Sequence, residues 1–226
     1  MAGIADNLQV VRARIGPRAT VTLLAVSKTQ PVERIREAIA AGQQAFGENY
    51  VQEAVEKRAL LPRVEWHLIG ALQSNKTRLA AESFDWVQTV ASEKIARRLS
   101  EQRPAHLPPL NVLIQVNVSG EATKSGVAPH EVEALARTVK GMPRLQLRGL
   151  MAIPEPGADR SRYQVVKKLF DQLKSELGFD TLSMGMSDDL DLALAEGSTM
   201  VRIGTAIFGP REQGEKIVPP HPGAHI

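Results

Sequence analysis

The sequence contains no cysteine, and this absence removes several kinds of chemistry at once. Among the 226 residues there is no thiol to form a disulfide, act as a nucleophile or bind a metal. Histidine is sparse as well, at 5 residues, so few imidazole ligands are available. We therefore expect neither a metal site nor a disulfide-stabilised fold, and the composition is compatible with a reducing compartment.

Long apolar runs are also missing. No stretch approaches the roughly 18 residues of a membrane span, and the amphipathic segment MAGIADNLQVVRARIG lacks the continuous apolar region of a signal peptide. The net charge of +3 is small and scattered, which argues against nucleic acid, although a mildly basic chain suits small anions such as phosphates. We expect a soluble, cytoplasmic protein that binds neither nucleic acid nor membranes.

Common catalytic motifs are absent in the same way. The sequence has no GxGxxG after a strand, no P-loop, no HExxH and no GxSxG. The chemistry must therefore come from groups outside these motifs, among which an amine and a phosphate site are the candidates developed below.

What the sequence does contain is a repeated unit of a strand followed by a helix. Apolar runs rich in Val, Ile and Leu predict eight strands, at 21–27, 44–48, 65–70, 86–90, 111–118, 146–153, 181–187 and 200–208. Eight strands alternating with helices predict an α/β fold of the (β/α)₈ TIM-barrel type, here with an extra N-terminal helix. An open doubly wound sheet is the alternative. We expect one domain over 1–226, with its core at about 4–210 and a C-terminal tail at 211–226.

A barrel places functional groups where its strands end. Polar or glycine residues gather at these predicted ends: Lys28, Glu48, Asn49, His67, Gly70, Gln88, Gln115, Asn117, Ser183, Ser187, Arg202, Gly204 and Thr205. Packing alone does not explain polar groups at one end of otherwise apolar strands.

Lys28 ends the first predicted strand, in LLAVSKTQP. Because strand side chains alternate, it shares a face with Leu24 and Val26. If that face points into the barrel, burial lowers the pKa of the amine, and a neutral amine can condense with a carbonyl to form a Schiff base. The alternative is a solvated lysine on a loop.

The last strand and the loop before it suggest an anion site. Arg202 and Gly204 share one face of the strand, and a short helix starting at Thr205 would present free N–H groups. Ser187, in the loop after strand 7, adds a hydroxyl, unless it only caps the following helix. An amine and a phosphate site at one barrel mouth fit a phosphorylated aldehyde.

Other polar residues have two interpretations each. Gln115 and Asn117 indicate either a polar pocket or hydrogen bonds to loop backbone. His67 is either a pocket residue or a satisfied core histidine. In GENYVQE, Glu48 is a catalytic candidate, but we favour a helix start capped by Asn49.

Six segments together resemble the pyridoxal phosphate homeostasis proteins: LLAVSKTQP, FGENYVQE, WHLIGALQSNK, LRGLMAIP, LSMGMSDDL and GSTMVRIGTAIFG. The resemblance covers about residues 4–210 in the right order. It implies the fold of the alanine racemase N-terminal domain, which binds pyridoxal 5′-phosphate (PLP). The family often has a second lysine where this sequence has Gln30.

The resemblance also implies roles for particular residues. Lys28 would hold PLP as a Schiff base, while Arg202 would lie by the pyridine nitrogen or the phosphate. The implied phosphate ligands are Ser187, Gly204 and Thr205, and the implied pocket lining is Asn49, His67 and Met186. Lys124 matches the family's KSG segment and is implied in cofactor transfer, although from the sequence alone it is a solvated loop residue.

Two functions then compete. The first is a PLP carrier acting in PLP homeostasis, with little or no turnover, PLP-dependent apoenzymes as recipients and a monomeric state. The second is an amino-acid racemase, which needs a base on each face of the cofactor adduct. The only tyrosines, Tyr50 and Tyr163, lie in helical patterns, and the chain has no room for the second domain of related racemases. We therefore favour the carrier; a Schiff-base aldolase is a third possibility.

Overall fold

Eight parallel strands close into a barrel in the computed structural model of the protein, which describes residues 2–211. The strands are β1 (Thr22–Val26), β2 (Ala45–Glu48), β3 (Glu65–Leu68), β4 (Trp86–Val90), β5 (Leu110–Val116), β6 (Leu145–Ala152), β7 (Thr181–Ser183) and β8 (Met200–Ile203). They pair in sequence order, and β1 pairs with β8 in the register Thr22↔Met200 to close the barrel. The predicted barrel is confirmed, and the open doubly wound sheet is wrong.

Helices follow the strands around the outside. They are α1 (Ile4–Ile15), α2 (Val32–Ala40), α3 (Val51–Leu60), α4 (Thr77–Ser83), α5 (Glu93–Gln102), α6 (Val132–Lys140), α7 (Arg160–Leu177), α8 (Leu190–Ala195) and α9 (Thr205–Phe208). Short 3₁₀ turns at Ser74–Lys76 and Pro129–Glu131 lead into α4 and α6. Within 2–211 no helix combines the length and the apolar character needed to cross a bilayer. Of the predicted tail, 212–226 lies outside the described residues.

Most strands end within two residues of the predicted position, but β7 ends four residues and β8 five residues earlier than the sequence predicts. β7 stops at Ser183, and two residues later Gly185 adopts φ +102, where a Cβ would lie 2.5 Å from Cβ of Ala193. The chain therefore turns toward α8 instead of continuing as a strand. β8 stops at Ile203, and the short helix predicted after it is α9.

Most apolar side chains pack between the strands and the helices. On β5, for example, Val112, Ile114 and Val116 belong to this outer core, as the alternation predicts. Inside the barrel the apolar groups are few and form two small clusters, one of Leu24, Ala45 and Met200 and one of Trp86, Leu113 and Met151. The rest of the interior is available to polar side chains.

Helix α1, at the start of the described chain, packs against α9, at its end. Its buried face consists of Ile4, Leu8, Val11 and Ile15 and belongs to the outer core. Asn7 Nδ2 donates a 2.8 Å hydrogen bond to the carbonyl oxygen of Ile207 in α9. α1 therefore packs beside the strand pair that closes the barrel.

Candidate functional site

Lys28 follows β1 at the carboxyl end of the barrel, which we call the mouth. It is half-buried. Partial burial lowers the pKa of its amine, and the charge of Arg211 lowers it further, while the Glu53 carboxylate opposes the shift. The neutral form of the amine is therefore more accessible than in an ordinary surface lysine.

The backbone at Lys28 forms a tight turn. The N–H of Gln30 donates to the carbonyl oxygen of Ser27 at 3.0 Å, and Thr29, the third residue of the turn, has φ +63. This is the pattern of a type II turn, whose third residue requires positive φ and is usually glycine or asparagine. A β-branched threonine there is an outlier, so neighbouring contacts must hold it.

The predicted anion ligands come together on the other side of the mouth. Thr205 Oγ1 donates to Ser187 Oγ at 3.4 Å, which joins the loop after β7 to the start of α9. Gly204 is the N-cap residue of α9. Asp189, not Ser187, occupies the N-cap position of α8, so the capping interpretation of Ser187 is wrong. Met186 lies in the same loop with a side chain 43% exposed.

Arg202 enters the barrel from β8 and is almost fully buried. Its Nη1 donates to Ser183 Oγ at 2.6 Å and its Nη2 to the carbonyl oxygen of Ala152 at 3.0 Å. Burial lowers the pKa of the guanidinium to about 10, which still leaves it charged at neutral pH. The structure thus fixes a cation below the mouth.

A continuous chain of side chains leads from Arg202 through the interior; we call Arg202, Ser183, Gln88, His67 and Glu65 the polar column. Ser183 Oγ donates to Gln88 Oε1 at 2.7 Å, and Gln88 Nε2 donates to His67 Nδ1 at 2.9 Å. Because Nδ1 accepts, the ring proton is on Nε2, which donates to Glu65 Oε1 at 2.7 Å.

The histidine of this column is uncharged. Burial lowers the pKa of His67, and its ring stacks on Trp86 with centroids 4.9 Å apart. His67 is linked to Arg202 only through Gln88 and Ser183. The structure therefore places it below the mouth and does not bring it beside the other candidate residues.

Asn49 lies at the mouth, directly after β2. The N-cap of α3 is Tyr50 and makes no side-chain cap, so the predicted capping role of Asn49 is wrong. Asn49 Oδ1 is buried and accepts no hydrogen bond within residues 2–211. A Cβ at Gly70 would lie 2.2 Å from the carbonyl oxygen of Asn49, so the glycine allows the loops after β2 and β3 to touch.

Gln115, at the end of β5, and Asn117, just after it, have different surroundings. Gln115 is buried in the strand. Asn117 instead orders the following loop, since its Nδ2 donates to the carbonyl oxygens of Glu121 at 2.9 Å and Lys124 at 3.3 Å. Lys124 Nζ lies 3.7 Å from Glu121 Oε2 and its side chain is 36% exposed. The loop-bonding interpretation is thus confirmed for Asn117.

One residue of the site was not predicted from the sequence, and one catalytic candidate lies elsewhere. The first is Glu65, which the alternation along β3 places on the same face as His67. The second is Glu48, whose Oε1 accepts from Ser27 Oγ at 2.7 Å and from Lys57 Nζ at 2.8 Å between the barrel and α3. Glu48 therefore faces a buried ion pair outside the barrel, away from the mouth.

A large cavity lies at the opposite end of the barrel. It has a volume of about 1340 Å³ and opens at the amino ends of the strands, among residues that include Thr22, Glu65, Trp86, Asn111 and Thr181. Lys28 and the predicted anion ligands are not in its lining. The candidate site is thus at the mouth, and of the five residues of the polar column Glu65 alone is in the lining of this floor cavity.

Comparisons with known proteins agree with the geometry. The family model described as alanine racemase, N-terminal domain, matches residues 1–212. The chain is 57% identical over 226 residues to the pyridoxal phosphate homeostasis protein of Pseudomonas aeruginosa, covering 95% of this chain and 98% of that protein. It is 53% identical over 234 residues to the protein of the same name from Escherichia coli K12, covering 96% and 100%.

Solved structures give the same result. PipY of Synechococcus elongatus PCC7942, solved with PLP bound, superposes with a TM-score of 0.83 at 38% identity, covering 91% of this chain and 100% of PipY. An alanine racemase from Corynebacterium glutamicum superposes with a TM-score of 0.73 at 19% identity, covering 94% of this chain and 61% of the racemase. The likeness to the racemase is one of fold.

Proposed function

The chain belongs to the pyridoxal phosphate homeostasis proteins, which share the fold of the alanine racemase N-terminal domain, and from that membership we propose that it binds PLP through a Schiff base on Lys28. When bound, PLP supplies an aldehyde that an amine captures reversibly. The observation that carries the proposal is the half-buried Lys28 amine at the same barrel mouth as the hydroxyls of Ser187 and Thr205.

Lys28 is the nucleophile in this proposal. Its neutral Nζ attacks the aldehyde carbon, the carbonyl oxygen leaves as water, and a C=N bond remains. The lowered pKa of the amine increases the neutral fraction near pH 7. The short turn at Ser27–Gln30 fixes the backbone from which the Lys28 side chain extends.

The other candidate residues fit the rest of the cofactor. Ser187 and Thr205 offer hydroxyl donors for the phosphate, and Gly204 adds no side chain beside them. Asn49 brings a buried amide oxygen that has no partner among the described residues, which suits a donor on a ligand. Arg202 would meet the pyridine nitrogen or the phosphate, and Met186 would cover the ring.

We further propose that the protein holds and releases PLP with little turnover. Racemisation needs a base on each face of the adduct. Tyr163 is unsuited to this role because its hydroxyl donates to Asp189 and burial raises its pKa. Tyr50 is 63% exposed.

The charge of Arg202 supports the same conclusion. A guanidinium that stays charged beside the pyridine nitrogen disfavours protonation of that nitrogen, which weakens the ring as an electron sink. Strong carbanion stabilisation is what an amino-acid racemase requires from the cofactor. This arrangement therefore favours storage and delivery over catalysis.

The absorption spectrum of the purified protein tests the binding. We expect a yellow protein that, after borohydride reduction, carries a pyridoxyl group on Lys28, and a colourless protein when Lys28 is replaced by alanine. A wild-type protein that cannot be reconstituted with PLP, or a pyridoxyl group on another lysine, would contradict the proposal.

Proton exchange separates the carrier from the racemase. We expect the PLP-loaded protein to exchange the α-proton of amino acids in deuterated water no faster than free PLP does. Exchange at enzymatic rates would instead identify a racemase. The proposal extends to a cytoplasmic monomer that delivers PLP to apoenzymes, in which Lys124 takes part in the transfer. Light scattering tests the oligomeric state, and reconstitution of an apoenzyme by the loaded protein tests delivery.

A further inference from the structure

A buried group of ions lies behind Lys28, between the barrel and α3. Lys57 Nζ is 2.8 Å from Glu48 Oε1 and 2.6 Å from Glu53 Oε1. The side chain of Glu48 is fully buried, and that of Lys57 is 8% exposed. We call Glu48, Glu53 and Lys57 the α3 ion cluster. Buried charges of this kind are costly unless they are paired, so their position calls for an explanation.

The cluster binds the backbone on both sides of Lys28. Lys57 Nζ donates to the carbonyl oxygen of Ser27 at 2.7 Å. The N–H of Thr29 donates to Glu53 Oε1 at 2.6 Å. Both peptide groups that flank the lysine are therefore fixed by charged side chains of one helix, and charge-assisted hydrogen bonds are among the stronger ones.

The conformation of Thr29 shows why such contacts are needed. With φ +63, this β-branched residue occupies a region that favours glycine. A strained residue persists only where its surroundings hold it. Of the described contacts, the hydrogen bond to Glu53 is the one that fixes the Thr29 N–H in this orientation.

The same carboxylate also acts on Lys28 through its charge. Burial and Arg211 lower the pKa of the Lys28 amine, whereas Glu53 raises it. The charge of the Glu53 carboxylate therefore acts on the Lys28 amine against burial and Arg211. This limits how far the lysine loses its proton.

We propose that Glu53 is a positioning residue for Lys28: its carboxylate holds the left-handed turn at Thr29 and so directs the amine toward the PLP aldehyde. The inference rests on the function proposed above. Glu48 and Lys57 act through Glu53 and Ser27, and none of the three is among the residues proposed to bind the cofactor. Such a role does not follow from the sequence, in which Glu53 and Lys57 have the spacing of an ordinary surface pair.

The first test compares three variants of α3. We expect Glu53→Ala to raise the dissociation constant for PLP about tenfold, the effect of losing one charge-assisted hydrogen bond. Glu53→Gln keeps a carbonyl oxygen for the Thr29 N–H and should stay close to wild type. Glu56→Ala, at an exposed position of the same helix, is the matched control.

A double-mutant cycle distinguishes positioning from general stability. Thr29→Gly can adopt positive φ without support. In that background Glu53→Ala should weaken PLP binding by only about twofold, because most of its effect passes through Thr29. An equal loss in both backgrounds would overturn the proposal, as would unchanged binding by Glu53→Ala.

The melting temperature of each apoprotein serves as the control for correct folding. If Glu53→Ala does not fold, Glu53→Asp replaces it, since this variant keeps the negative charge while withdrawing its oxygens from the Thr29 N–H and from Lys57 Nζ, which both meet the same oxygen of Glu53. It should fold and show a similar loss of affinity. Wild-type affinity in a folded Glu53→Asp protein overturns the proposal.

A second readout needs no cofactor. In the apoprotein, the rate of acetylation at Lys28 against pH reports the pKa of its amine, and mass spectrometry of the peptide isolates that residue. Glu53→Gln removes the charge that favours the ammonium, so its profile should move to lower pH, while Glu56→Gln should leave it unchanged. No shift in Glu53→Gln argues against the inference. By contrast, a wild-type protein without a Lys28 adduct defeats the proposed function itself.

Discussion

The hydroxyl of Ser183 on β7 donates a 2.7 Å hydrogen bond to the amide oxygen of Gln88 on β4, across the interior of the barrel. This bond joins the two halves of the polar column. Arg202 donates to Ser183, and His67 donates to Glu65 at the other end, so every donor points from the cation toward the carboxylate. Bonds aligned in this way polarise one another.

Replacing Gln88 by leucine is expected to destabilise the protein strongly. The substitution keeps the approximate volume but leaves the buried Nδ1 of His67 and the hydroxyl of Ser183 without this partner. Unsatisfied buried groups of this kind should lower the free energy of unfolding by about 2–4 kcal/mol. Urea denaturation measures the loss.

The matched control is Gln146→Leu. Gln146 is exposed on β6, so this change should alter the free energy of unfolding by less than about 0.5 kcal/mol. Equal stability of the Gln88 and Gln146 variants would show that the column contributes nothing to the fold.

His67 should make stability depend on pH. Its pKa in the folded protein lies below the ordinary value of 6.5 because the ring is buried. As the pH falls through 6.5, the unfolded chain takes up a proton that the folded protein resists, so the free energy of unfolding decreases. The contribution of His67 to the free energy of unfolding is thus fully present above pH 6.5. Below that pH it decreases by up to about 1.4 kcal/mol per pH unit.

Urea unfolding at several pH values between about 7.5 and 5.5, a range that spans the ordinary imidazole pKa, measures how the free energy of unfolding depends on pH. His67→Gln should flatten this dependence, and His106→Gln, at an exposed position, should not. A His67→Gln variant that keeps the wild-type slope would refute the assignment.

Arg202→Lys should weaken PLP binding although the charge is kept. Only the planar guanidinium reaches both Ser183 Oγ and the carbonyl oxygen of Ala152. We expect the dissociation constant for PLP to rise about tenfold in an absorbance titration. Arg97→Lys, on the exposed side of α5, provides the comparison. Undiminished affinity in Arg202→Lys would mean that guanidinium geometry is irrelevant to binding.

Gly149→Ala should prevent a stable barrel. Gly149 lies at the register shift between β5 and β6 with φ +152, and a Cβ would lie 1.8 Å from the carbonyl oxygen of Thr181. Since that contact is to backbone, we expect the free energy of unfolding to fall by more than about 4 kcal/mol. Circular dichroism should then show either no folded spectrum or a strongly lowered melting temperature. Gly141→Ala, with its nearest neighbour 3.7 Å away, should fold normally. A stable Gly149→Ala protein would contradict this register.

Which side chains share a face of a strand could be predicted, because their alternation depends only on the local backbone geometry. Alternation along β1, β5 and β8 is a property of any strand, and it placed the apolar residues of β5 in the outer core. The barrel followed from eight repeats of one unit. The helix start at Thr205 was also predicted correctly, whereas two capping predictions failed, because Asn49 lies one residue and Ser187 two residues before the N-cap position of the following helix.

The remaining features depend on tertiary contacts. Lys57 becomes buried, and Glu53 partly buried, because α3 packs against β2 and reaches the turn after β1, and no local pattern records that. His67 and Gln88, which are 21 residues apart in sequence, become partners across two neighbouring strands. Gln30 still has no functional explanation: its backbone N–H closes the turn at Ser27, and any residue except proline could do the same.

The hydrogen bond between Asn7 and Ile207 has a consequence for synthesis on the ribosome. α1 is translated first, yet it packs against α8 and α9, which are translated last among the described elements. Part of its apolar face therefore waits for almost two hundred residues to emerge before it is covered. During that interval the nascent chain exposes apolar surface of the kind that chaperones cover, and this surface is buried once the last barrel unit, which pairs β8 with β1, has been made.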